Sequence, residues 1–200
     1  MESLLGGKIP KSWLYTYFHP VESLSSGKNT WKNAISLLIA VSILAALIGI
    51  LAVFEFNEKN ILEYQFDFYY LFAGSVLSYL LDSILLFFLL AIFSNRAKWL
   101  VNFKENAPTL TGIFCGQQIL RMILSILVII AVAINPILVF IGLIVVILSY
   151  PIDTYAYYGY YRLIKKTSSI SQKSAAVAVI AALVAIQLIT LVIFAIFGQI

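Results

Sequence analysis

Apolar residues in this chain come in long runs set apart by short polar stretches, a pattern that is neither the alternation of a half-buried strand nor the stripe of an amphipathic helix. About 20 residues of helix are needed to cross roughly 30 Å of hydrocarbon, and five runs reach that length. Ala34 to Phe54 carries no charge. Tyr69 to Phe93 is interrupted by Asp82, and Thr109 to Ile134 by Arg121. Pro136, a favoured first-turn residue, opens a fourth run to about Tyr158 with Asp153 near its end, and Ala175 to Phe197 is the fifth. The two interrupted runs still insert, because about 15 Leu, Ile, Val or Phe at roughly −0.4 kcal/mol each outweigh one charge at about +3. The pattern predicts an all-α, five-span membrane protein with an N-terminal segment, 1–33, and a membrane domain, 34–200.

Composition agrees: 62% of the 200 residues are hydrophobic and 11% charged, against about 25% charged in a soluble domain. The first run is too long for a signal-peptide core and no small-residue cleavage site follows, so it is expected to stay in the mature protein. The net charge of +4 reads as topology. Lys8, Lys11, Lys28 and Lys32 precede span one, Arg96, Lys98 and Lys104 follow span two, and Arg162, Lys165, Lys166 and Lys173 follow span four. The other side holds Lys59 beside Glu55, Glu58, Glu63 and Asp67. This bias predicts a cytoplasmic N-terminus and an external C-terminus, and it leaves no basic face for nucleic acid. In the N-terminal segment, Lys11 to Phe18 sets Trp13 against Tyr17 and Leu14 against Phe18 at helical spacing, then stops at His19-Pro20; the expectation is a short helix lying on the inner leaflet.

Candidate chemistry lies in polar residues at membrane depth. Counted from the basic ends of their helices, Asp82 and Arg121 share a level about 18 Å in, so an Asp82 to Arg121 ion pair is expected, with Gln117 and Gln118 one turn from Arg121. Gln187 reaches a similar depth, and Asp153 lies at about the level of Gln117. Two readings stand side by side: an ion or proton path, or a buried pair that fixes helix register. Gly112 and Gly116 form a G-x-x-x-G, and Ala178 and Ala182 lie on a small-residue stripe in span five. Either can serve contact within the bundle or a homodimer.

Catalysis has little to work with. One cysteine, Cys115, and one histidine, His19, exclude an internal disulfide and a His/Cys metal site. Asp82 and Asp153 differ in depth and lack the Gly-x-Gly setting of an intramembrane aspartyl protease. No Gly-x-Ser-x-Gly, Walker loop, HExxH or CxxC is present. No enzyme activity, cofactor or metal is expected.

The sequence Phe18-His19-Pro20-Val21-Glu22, followed by Asn29-Thr30-Trp31-Lys32-Asn33-Ala34 at the opening of span one, resembles the Yip (Ypt-interacting protein) domain family in its short prokaryotic form. So do the very short turn between spans three and four and the basic loop leading into Lys173-Ser174-Ala175-Ala176. Eukaryotic members of that family bind Rab-type GTPases in membrane traffic. Here only 33 residues precede span one, without a long acidic arm, which argues against GTPase binding and for a prokaryotic plasma membrane. The expected role is a non-catalytic scaffold or adaptor, with the lipid bilayer and other integral membrane proteins as partners. A small transporter or channel subunit using the Asp-Arg pair is the alternative.

Overall fold

The computed structural model describes residues 13–25, 31–59 and 68–197. Two short helices, α1 (Trp13–Phe18) and α2 (Pro20–Ser25), precede five long ones: α3 (Trp31–Glu58), α4 (Phe68–Ser94), α5 (Trp99–Ile134), α6 (Ile141–Thr167) and α7 (Gln172–Phe197). No strand occurs among the described residues. All five long helices are long and apolar enough to cross a membrane. The hydrocarbon dictates this, since a lipid-exposed backbone can pair its amides only within the segment.

Each long helix extends past its apolar run into the polar end residues, so α3 begins at Trp31 and the boundary expected at 33/34 falls inside it. The turns are set by asparagines. Asn95 Oδ1 accepts from the amides of Ala97 (3.2 Å) and Lys98 (3.3 Å), starting a 3-10 turn at Arg96–Lys98. Asn135 Oδ1 accepts from the Ile137 amide at 3.0 Å and starts the 3-10 segment Pro136–Phe140, which turns α5 back into α6. Ser169, at φ 52°, ends α6 in the left-handed region.

Helix α5 is central. It packs against α3, α4 and α6 along the bundle and carries α1 and α2 near its basic end, while α7 closes against α4 and α6. Burial is uneven along the axis. Every residue of α5 from Asn106 to Gln118 is buried, and the buried residues of α6 all lie at or beyond Ala156. Leu90, Ile113, Ala156 and Leu163 form the tightest part of the core. Toward the other end α6 and the turn before it stand open: Ile137 and Phe140 of the 3-10 segment and Leu143 and Ile147 of α6 are all about two-thirds exposed or more.

Pro108 sits inside α5. A proline has no amide to give the carbonyl four residues back, here that of Lys104. The indole Nε1 of Trp31 donates to that carbonyl at 3.2 Å, so α3 supplies the bond α5 lacks.

Candidate functional site

The polar centre lies between α5 and α6. Asp153 Oδ1 accepts from Gln117 Nε2 at 2.8 Å and from Arg121 Nε at 2.8 Å, and Asp153 Oδ2 accepts from Arg121 Nη2 at 2.5 Å. This is a bidentate guanidinium-carboxylate pair with an amide donor added. Its partners are not equally enclosed, since the side chain of Asp153 is 13% exposed and that of Arg121 40%.

The expected Asp82 to Arg121 pair is therefore corrected: the carboxylate comes from α6. Gln117 and Asp153 are 36 residues apart and equidistant from Asn135, so the tight turn brings them level on adjacent antiparallel helices. Asp82 shares the depth but not the direction. The core face of α4 is made by Ser83, Leu86, Phe87 and Leu90, and Asp82 stands at the edge of that face, about 100° round the helix from Ser83 and about 40° from Leu86. It is half-buried and makes no hydrogen bond or ion pair among the described residues. Tyr79, one turn earlier, lies within electrostatic range of both Asp82 and Arg121. Gln187 also departs from expectation, because it is exposed on α7 and belongs to no cluster. Gln118 is buried and lines a cavity of about 260 Å³ with Tyr79, Arg121 and Ser125 against the small residues Ala45 and Gly49 of α3.

Sequence reasoning missed the part played by α1. The expected helix forms, and it occupies the G-x-x-x-G groove of α5. A Cβ built on Gly116 would stand 2.6 Å from the Cβ of Tyr17, and one on Gly112 would collide with the Thr16 side chain. The two glycines thus receive α1, a contact within the molecule, which is the first of the two uses expected of them. Tyr17, 1% exposed, donates its hydroxyl to the Ile152 carbonyl at 2.6 Å, and Tyr155 donates to the Phe18 carbonyl at 3.0 Å. Burial, reinforced by the Asp153 charge, pushes the Tyr17 phenol up to about 12, which keeps it protonated as a donor. The side chains of Trp13 and Leu14, expected to pair with Tyr17 and Phe18, lie outside the described ones. The available signal was the open small-residue face of Gly112 and Gly116 together with a helical Thr-Tyr pair of matching size.

Ala178 and Ala182 are buried inside the bundle, on the helix that meets α4 and α6. Cys115 is fully buried in α5, a packing position out of reach of a reactant. Among the described residues no three His, Cys, Asp or Glu side chains gather as metal ligands would. The arrangement locks α1, α5 and α6 together around one neutralised charge pair and leaves one edge of Arg121 facing a cavity. No protein-family model, curated protein or solved structure matches the chain.

Proposed function

We propose that the chain is a non-catalytic scaffold or adaptor for other integral membrane proteins, Yip-like in organisation and resident in a prokaryotic plasma membrane. The observation that carries this reading is the half of α6 nearest the Asn135 turn. There Leu143, Ile144, Val146, Ile147 and Leu148 are all at least half exposed, while the other half is anchored by Asp153, Ala156 and Leu163. A helix held at one end and bare at the other presents side chains to a neighbouring span within the bilayer, where association rests on packing between helices. The polar centre supports the same reading, since Asp153 is satisfied by Gln117 and Arg121, and α1 is bonded to the neighbouring Ile152 carbonyl.

The test is site-directed photocrosslinking in native membranes, with the reactive side chain at Leu143 or Ile147 and a control at Ile35 near the basic end of α3. The adaptor reading expects discrete crosslinks to other integral membrane proteins from the α6 positions and only lipid adducts from the control. Lipid adducts alone from every α6 position would remove its main support.

A further inference from the structure

We propose that the groove between α3, α4 and α5 at the basic end of the bundle is a binding site for one acyl chain of an anionic phospholipid, whose headgroup rests on Lys32 and Lys104. The groove holds about 350 Å³ and is lined by apolar side chains, among them Trp31, Ala34, Ile39, Leu80, Phe87 and Phe103. From Trp31 to Ile39 it follows α3 for about 12 Å of the roughly 15 Å that one leaflet's hydrocarbon occupies. Its rim is fixed by the Trp31 indole bond to the Lys104 carbonyl and by Trp31 packing on Phe103, ring centroids 5.8 Å apart.

Charge selects the occupant. Lys32 follows Trp31, Lys104 follows Phe103, both are exposed, and neither forms an ion pair among the described residues. With Arg96 and Lys98 on the adjoining turn, this end of α3 to α5 sets four cations against the single carboxylate of Glu105 over residues 31–33 and 95–107. An apolar slot of leaflet depth beneath an unpaired cationic rim matches the two halves of a phosphatidylglycerol-type lipid: a chain below and a phosphate above. A soluble anion would use the rim and leave the slot, and a zwitterionic lipid would fill the slot without gaining from the rim.

The test uses the full chain with Trp13→Phe and Trp99→Phe, so that Trp31 is the only indole, reconstituted in phosphatidylcholine. Phosphatidylglycerol or phosphatidylcholine, each brominated near the carboxyl end of one chain, is titrated in and Trp31 quenching is followed. The site requires saturable quenching with an apparent preference for the phosphatidylglycerol probe of about fivefold per lysine. Lys32→Gln with Lys104→Gln, which leaves the groove intact, should abolish that preference while phosphatidylcholine quenching persists. Ala34→Leu, which narrows the groove, should weaken quenching by both. Equal quenching by the two lipids in the parent, or a preference surviving in the double lysine variant, overturns the proposal. The lysine variant decides it even if the groove variant fails to fold.

Discussion

Tyr17 stands where a side chain on Gly116 would have to be, with 2.6 Å between its Cβ and the position a Gly116 Cβ would take. The absence of that side chain lets a six-residue helix dock on a transmembrane one. So short a segment is marginal as helix by itself, and here the groove, the Tyr17 to Ile152 bond and the Tyr155 to Phe18 bond hold it.

Filling the groove should therefore release α1 while the bundle stays folded. Overpacking costs about 1–3 kcal/mol, so Gly116→Leu should raise labelling of a cysteine at Thr16, buried in the parent, about tenfold, in a Cys115→Ser background. Gly74→Leu is the control, since nothing lies within 4 Å of a Cβ there. Equal labelling in both variants would show that α1 does not depend on the groove.

The ion pair makes a second prediction, which separates Asp153 from Asp82. Asp153→Asn or Arg121→Gln should cost about 1–3 kcal/mol, less than the 3–5 of a fully enclosed pair because the Arg121 side chain is 40% exposed. Asp82→Asn should cost less than either. The exchange Asp153→Arg with Arg121→Asp should recover part of the loss, measured as thermal stability in detergent. If Asp82→Asn is the most damaging of the three, the partner assignment is wrong.

Five spans could be read from the chain because run length and mean composition alone decide whether a segment inserts. Which carboxylate meets Arg121 could not be read from depth, since Asp82 lies level with Arg121 while Asp153 lies a turn away. Direction decided it. An arginine stem spans that turn, and the symmetry of Gln117 and Asp153 about Asn135 was present in the sequence but counts only once the turn is known to be tight. Gln187 misled for the same reason, because depth says nothing about which way a side chain points. The docking of α1 was harder still, for Gly112 and Gly116 announce close approach without naming the partner.

The Trp31 indole and Pro108 should behave as a coupled pair. Trp31→Phe leaves the Lys104 carbonyl without its donor, at a cost of about 0.5–1.5 kcal/mol. Pro108→Ala returns a backbone amide to that carbonyl, so the same Trp31→Phe change should cost less in a Pro108→Ala background. Additive losses in the double-mutant cycle would mean the two residues act separately.

Orientation follows from charge and can be tested directly. Eleven of the thirteen basic residues lie at one end by the sequence pattern, and on that bias a cytoplasmic N-terminus is proposed. With Cys115→Ser, a cysteine at Lys59 should react with an impermeant thiol reagent on intact cells, and one at Lys165 only after permeabilisation. The reverse pattern would invert the topology proposed above.

Transport is the competing role, and Asp82 is where the two roles part. A conducting path needs polar groups or a wetted constriction reaching both faces. The Arg121 cavity is bounded by Ala45, Ile48, Gly49 and Ala52 of α3 and by Met122 of α5, and besides Arg121 its polar lining is Tyr79, Gln118 and Ser125 alone, with no second ionised group. Neither Asp82 nor Gln187 is hydrogen-bonded to the Gln117, Arg121 and Asp153 network, so neither extends it. Purified protein in liposomes should accordingly carry no Asp82-dependent proton or ion flux above empty vesicles under either sign of membrane potential. A reproducible flux lost in Asp82→Asn, but retained in a variant such as Ser149→Ala on the exposed half of α6, would favour the transporter over the adaptor. In that case the Arg121 cavity, widened by motion of α3, is where the permeating species should be sought, because it brings Tyr79, Gln118, Arg121 and Ser125 together at one opening.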